Sequence, residues 1–209
     1  MIIAGAGSAG KETLAFYVTT TGKTIAEIYD KTNKLNIYFY DTGKICKNYL
    51  YDIYPILKTK EELQSVIMEN PDFCVAIGHP RLRERMFNHI LQIGGHPKNI
   101  IRHDSVKLFS EISEGQANII YPNVCISFDF CIGKSCIIHA NSAIGHCVTI
   151  GNFVNIGPLC SVIGPCEIGD FSYIGAGSVI LPNCKIGRNV IVSAGSVVNR
   201  DVADYETFC

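Results

Sequence analysis

Along the second half of the chain, aliphatic residues return at every sixth position. From Ile120, positions 126, 132, 138, 144, 150, 156, 162, 168, 174, 180, 186, 192 and 198 are all Ile or Val, fourteen in register without a break. The residue that follows is Gly at 133, 145, 151, 157, 169, 175 and 187. Four places after the aliphatic residue stands a small or modest side chain: Cys136, Ser142, Val148, Val154, Cys160, Cys166, Ser172, Ser178, Cys184, Val190 and Ser196. A six-residue period fits neither the 3.6 residues of a helical turn nor the alternation of one long strand. It fits a chain that runs straight briefly, turns and repeats, with three sides closing one coil. Each aliphatic residue then points to the axis of a triangular prism, the small residue fits the inside corner, and Gly is expected to supply the backbone angles of the turns.

This pattern predicts a left-handed parallel β-helix over residues 102–200, with 201–209 as a C-terminal tail. The preceding residues 1–101 have another rhythm. Ile2-Ile3-Ala4 is a short apolar strand followed by Gly5-Ala6-Gly7-Ser8-Ala9-Gly10, and Lys11 to Thr20 reads as a helix with Leu14, Ala15 and Val18 on one face. A second strand is expected from Asn36 to Tyr40, ending in Asp41, then a helix from Lys60 to Glu69 and a strand from Phe73 to Ile77. A further helix is expected from Pro80 to Leu91, opened by its Pro. Strands alternating with helices predict a small, parallel, Rossmann-like α/β domain. The G-x-G-x-x-G between strand and helix matches a fingerprint in which backbone N–H groups at a helix start face a diphosphate. The competing reading is a tight turn without a ligand.

Composition removes several classes. The 209 residues carry 18 Lys and Arg against 19 Asp and Glu, without a long basic run, so no nucleic-acid footprint is present. Apolar residues make up 47% and charged residues 18%, which excludes wholesale disorder. Residues 135–166 hold no charged side chain, yet Asn, Ser, Gly and Pro interrupt them too often for a membrane span. The ten cysteines form no C-x-x-C pair, which argues against a thiolate zinc site, and no signal peptide is visible, so reduced thiols and a cytoplasmic location are expected. Cys136, Cys160, Cys166 and Cys184 fall on the small inward position, where a thiol serves as a compact hydrophobe. His139 and His146 lie within the repeat without a third partner, so no metal is expected. His79, His89, His96 and His103 are read as solvent or turn residues.

A Rossmann-like domain followed by hexapeptide repeats resembles the sialic acid O-acetyltransferases and nucleotide-sugar N-acetyltransferases of bacterial surface-glycan synthesis. The marks are the 5–10 turn, Phe39-Tyr40-Asp41, Ala76-Ile77-Gly78 with Arg83, and Ile144-Gly145-His146-Cys147-Val148-Thr149-Ile150-Gly151. Asn155-Ile156-Gly157-Pro158 and Ile174-Gly175-Ala176-Gly177-Ser178-Val179 add to them. The resemblance implies a homotrimer that uses acetyl-CoA, with active sites between neighbouring β-helices. It implies His146 as general base, coenzyme contacts at Asn155, Gly164, Ala176 and Ala194, and acceptor contacts at Gly7, Ser8 and Asp41. The chain departs from the family at Cys147, where many relatives carry an acid, and at Asn155, where some carry a second His. Ala9 likewise replaces a His, and Thr42 the second of two acids. Cys147 and Asn155 support a second reading, a trimeric binding protein of the same fold without turnover. A third, a nicotinamide-dependent enzyme, has only the Gly-rich turn behind it.

Overall fold

The computed structural model describes residues 1–21, 36–43, 47–101, 107–108 and 116–209. His103 and Cys46 lie outside them. In the N-terminal domain, β1 (Ile2–Ala4) is flanked by β2 (Tyr38–Tyr40) and β5 (Asp72–Val75). β4 (Tyr54–Leu57) pairs outside β2, and β3 (Tyr49–Leu50) closes that edge antiparallel. β6 (His96–Pro97) lies beyond β5. The order is β3-β4-β2-β1-β5-β6. The helices are α1 (Ser8–Thr20), α2 (Lys60–Ile67) and α3 (Pro80–Gln92). α1 starts three residues before the expected Lys11, because the chain turns directly from Gly7 into the helix. β3 and β4 were not expected: Pro55 interrupts the strand pattern, since Pro lacks the N–H that a ladder uses.

The repeat forms three parallel sheets. The first runs β8 (Lys107–Leu108), β10 (Cys125–Ile126), β13 (Ala143–Ile144), β16 (Ser161–Val162), β19 (Val179–Ile180), β22 (Val197–Val198). The second runs β11 (Cys131–Ile132), β14 (Val148–Ile150), β17 (Cys166–Ile168), β20 (Lys185–Ile186). The third runs β7 (Ile100–Ile101), β9 (Ile119–Ile120), β12 (Ile137–Ile138), β15 (Asn155–Ile156), β18 (Tyr173–Ile174), β21 (Ile191–Val192), β23 (Thr207–Phe208). Ile126 pairs with Ile144, Ile150 with Ile168 and Ile156 with Ile174, so one coil is three six-residue units. Thirteen of the fourteen ladder residues are buried and Ile132 packs partly against them, forming one left-handed β-helix core. The stretch 201–209 continues this architecture: Val202 is buried in the core, and β23 pairs with β21.

The role expected for Gly is corrected. At 133, 145, 151, 157, 169, 175 and 187 the backbone is not left-handed. Instead, the next coil lies too close for a side chain; a Cβ at Gly145 would stand 2.7 Å from the Gly164 nitrogen. From Asn123 to Gly195 the left-handed residue comes two places later in every unit but that of Pro165, as at Asn141 (φ 61), Cys147 (φ 53), Asn183 (φ 64) and Gly195 (φ 73). Corner geometry is thus carried mostly by non-glycine residues, and glycine serves coil spacing.

α1 lies between the α/β sheet and the third β-helix sheet, so it is buried on both flanks: Leu14 and Val18, and also Thr13 and Phe16. Arg83 on α3 fastens the two domains. It is fully buried and its five N–H donors all meet backbone carbonyls. Nε donates to Ser135 at 2.7 Å, Nη1 to Ile77 and Gly78 at 2.6 and 2.9 Å, and Nη2 to Phe153 and Val154 at 2.6 and 3.1 Å. Burial pushes its pKa down to about 10, which leaves it charged at neutral pH among carbonyl dipoles. Beside it, Phe87 meets Phe153 edge-on at 5.7 Å, and Arg81 lies 3.7 Å over the Phe171 ring. No described helix is long and apolar enough to cross a membrane.

Candidate active site

His146 stands at the corner between β13 and β14, exposed, its ring stacked on Phe128 at 5.4 Å and 11°. The corner is fixed from both sides. The Cys147 N–H donates to Phe128 (3.1 Å) in the coil before, and its carbonyl accepts from Cys166 (3.2 Å) in the coil after. Gly164 packs against the His146 carbonyl so closely that a Cβ there would overlap it. The geometry therefore brings His146 and Gly164 together. Cys147 holds the left-handed angle of the corner and is exposed.

The other expected coenzyme positions lie elsewhere on the prism. Ala176 and Ala194 are exposed on the corner after the third sheet, one coil apart and joined through the Gly195 N–H to the Ala176 carbonyl (2.8 Å). Asn155 sits on the third sheet, 2% exposed, and its Oδ1 has no well-formed hydrogen bond among the described residues. It approaches His139, which stacks on Tyr121 at 5.1 Å and 6°. Burial lowers the His139 pKa and the nearby Arg83 charge adds to this, while the Asn155 contact opposes them. The Tyr121 hydroxyl meets Thr13 Oγ1 at 2.9 Å, which ties this column to α1.

The Gly-rich turn divides its labour as the fingerprint suggests. Gly5 has φ 102, Gly7 has open space where a Cβ would be, and at Gly10 a Cβ would collide with the Gly5 carbonyl. Asp41, at the end of β2, accepts from the Ala6 N–H at 2.8 Å, so the acid and the turn are joined. Gly5, Asp41, Thr42 and Ile77 form one side of a cavity of about 460 Å³ at the carboxyl ends of β1, β2 and β5. One face of α3, with Arg85 and His89, forms the other. Gly7 and Ser8 are exposed in the same turn but do not line this cavity. The reading of His89 as a solvent residue is overturned: it is half-buried, and its ring stacks with Tyr40 at 6.0 Å and 25°. The signal was present in the helical spacing of Leu82, Arg85, Met86 and His89.

The α/β domain docks on the third sheet and the adjoining corner of Phe153 and Phe171, whereas His146 occupies the corner opposite that sheet. One chain therefore holds the cavity and the imidazole on opposite sides of the prism.

Residues 1–90 match the family model of the PglD N-terminal domain, and residues 148–181 and 165–200 match that of the bacterial transferase hexapeptide (six repeats). The comparison with curated proteins returns no match. Among solved structures, WeeI from Acinetobacter baumannii AYE is similar with a TM-score of 0.83 at 25% identity, over 99% of this chain and 94% of that one. The acetyltransferase domain of PglB from Neisseria gonorrhoeae FA1090, in complex with acetyl coenzyme A, gives 0.74 at 23% identity over 99% and 93%. PerB from Caulobacter crescentus, in complex with CoA and GDP-perosamine, gives 0.75 at 22% identity over 97% and 90%. With the repeat core and the Gly-rich turn in place, the chain belongs to the hexapeptide-repeat transferases that carry a PglD N-terminal domain.

Proposed function

We propose that the protein is an acetyl-CoA-dependent acetyltransferase acting on an amino or hydroxyl group of a nucleotide-linked sugar or a sialic acid in bacterial surface-glycan synthesis. The observation that carries this reading is the exposed His146 imidazole, held above Gly164 on a rigid corner of the repeat. Relatives of the same fold hold acetyl coenzyme A, or CoA together with GDP-perosamine. In the reaction, neutral imidazole takes the proton from the acceptor nitrogen or oxygen as that atom attacks the thioester carbonyl, and the coenzyme leaves as its thiol. Asn155, Gly164, Ala176 and Ala194 are the proposed coenzyme contacts, and Gly7, Ser8 and Asp41 the proposed acceptor contacts.

The separation of His146 from the α/β cavity supports a homotrimer, in which the cavity of one copy meets the His146 corner of the next. Closed cyclic symmetry then gives three equivalent sites. The cytoplasm is the proposed location, where acetyl-CoA and reduced thiols are available. The test is acetyl transfer followed by mass spectrometry, with acetyl-CoA and a panel of nucleotide amino-sugars and sialic acids. A gain of one acetyl mass that falls about 10²–10⁴-fold in His146→Ala is expected for loss of a general base. Coenzyme binding without product from any acceptor would instead favour the non-catalytic binding protein suggested by Cys147.

A further inference from the structure

Among the described residues, three pairs of rings one coil apart lie face to face: Tyr121 with His139 at 6°, Phe128 with His146 at 11°, and Phe153 with Phe171 at 2°. Each pair occupies the same place in successive coils, which are about 4.8 Å apart along the axis. The register of the repeat therefore sets planar side chains in parallel. The two histidine pairs differ in what else holds them. His139 is half-buried and approaches Asn155, and the Tyr121 hydroxyl beneath it meets Thr13 Oγ1 at 2.9 Å. His146 is exposed, and among the described residues its imidazole has neither an ion pair nor a hydrogen bond. Asp129, on the same corner one coil before Cys147, does not pair with it. In the following coil the place of His146 is taken by Gly164, which has no side chain to lay over the ring. What the imidazole does have is Phe128, at 5.4 Å between centroids.

We propose that Phe128 is the positioning residue of His146: its ring, in place of a carboxylate, fixes the plane of the imidazole and underlies the positive charge that the imidazole gains on taking the acceptor's proton. The inference rests on the reading of His146 as the general base. A base of this kind needs a third group to orient it, and no polar side chain among the described residues does so. A stacked ring can. Parallel faces leave both imidazole nitrogens at the rim of the stack, free to meet an acceptor proton, while rotation of the ring would give up the contact. A cation within about 6 Å of an aromatic centroid, over its face, is attracted by the ring quadrupole, so the stack strengthens as the proton arrives. The placement of Phe128 agrees with such a role. It is 54% exposed, whereas Phe130, two places on, is 5% exposed and belongs to the core. Among the described residues its ring contact is with His146 alone.

Two measurements on the full-length protein test this, in wild type, Phe128→Leu, Phe128→Tyr and His146→Ala, with circular dichroism as the control for folding. The first is proton NMR of histidine-labelled protein, in which His146→Ala identifies the His146 signals. Those signals should be displaced by the Phe128 ring current in wild type and Phe128→Tyr, and should move toward ordinary histidine positions in Phe128→Leu. The second is acetyl transfer from acetyl-CoA to the panel of nucleotide amino-sugars and sialic acids. Phe128→Leu should lower kcat about three- to thirtyfold, the range of a cation–π contact, with KM for acetyl-CoA unchanged. Phe128→Tyr, which keeps the ring, should recover most of that loss. His146 signals that do not differ between wild type and Phe128→Leu overturn the proposal, and so does an equal loss of kcat in the Leu and Tyr variants. A loss confined to KM assigns Phe128 to the coenzyme and overturns it as well. An unchanged kcat in Phe128→Leu, beside an inactive His146→Ala, sinks the positioning role and leaves the base in place. Transfer to no acceptor, or a His146→Ala protein as active as wild type, removes the base and the positioning role together.

Discussion

In the β-helix, burial is decided by a residue's place in a six-residue unit, and the same place holds the same kind of side chain from Ile120 to Val198. In the α/β domain it is decided by which body lies on either side, so α1 buries Thr13 and Phe16 toward the repeat as well as Leu14 and Val18. The two regions also treat polar groups differently. Along the repeat, small hydroxyls and thiols bond to the adjacent coil, as Ser142 Oγ does to Gly157 at 3.0 Å. Between the domains, a single full charge on Arg83 is satisfied by carbonyls alone. A repeating core distributes its cost over many equivalent places, whereas a junction concentrates it in one or two side chains.

The largest effect should come from breaking the junction. Arg83→Ala removes five donors from the carbonyls of a buried seam, of which Val154 alone keeps a further one in the Ile137 N–H, and a loss of about 3–5 kcal/mol is expected in denaturant unfolding. Arg83→Lys restores the charge but only three donors in another geometry, so it should recover no more than part of that loss. Unfolding curves of the two variants that coincide with wild type would show that the seam holds without the guanidinium.

Coil spacing comes next. Gly157→Ala places a Cβ 2.7 Å from the Ala176 nitrogen, a backbone contact that cannot be relieved by a side-chain rotation, and overpacking of this kind costs about 1–3 kcal/mol. Asn183→Ala, at φ 64, meets only the left-handed penalty of about 1–2 kcal/mol. A thermal shift larger for Asn183→Ala than for Gly157→Ala would reverse the assignment of spacing to Gly and turning to its successors.

The cysteines sharpen the contrast without changing stability. Burial pushes Cys74 and Cys136 each up to about 12, one in each region, so both should resist iodoacetamide in the folded protein. Cys131, Cys147 and Cys209 are exposed and should be labelled first, which peptide mass spectrometry reads directly. Labelling of Cys136 as fast as Cys147 would mean that the corner opens.

The smallest effect is the titration of His139. Its pKa is lowered by burial, so the unfolded chain binds the proton more readily than the folded one. Stability is complete above the ordinary value of 6.5 and declines as pH falls from there toward the depressed folded value. His139→Gln should flatten that decline in unfolding experiments between about pH 7 and 5. An unchanged slope would place the acid-sensitive group elsewhere.

The repeat was legible because its constraint is local and recurs: Ile144 and Val162 meet the same surroundings one coil apart. The helices of the first domain were legible to within a few residues, since Pro80 marks a start as clearly as any signal in the chain. β4 was hidden by Pro55, which occupies a sheet position that sequence patterns assign to other residues. His146 and Gly164 could be named from the motif, and their contact follows from an 18-residue coil. The α3 wall of the cavity could not, because Arg85 and His89 line it only when α3 lies across from the ends of β1 and β2. That relation is set by α3 and Arg83 packing against a distant part of the chain.

The close fit at Gly145 and Gly157 sets a quantum of length. An insertion of six residues between Gly164 and Ala176 would keep every later aliphatic residue on the axis, yet rotate all that follows by one side of the prism. Ala176 and Ala194 would then stand on a different edge from the one that now carries them. Only a whole coil, the 18 residues separating Lys134 from Asn152, can be added or removed without moving one edge relative to another. A domain built this way changes height in complete storeys, and whatever chemistry runs along an edge is insulated from smaller drifts in chain length.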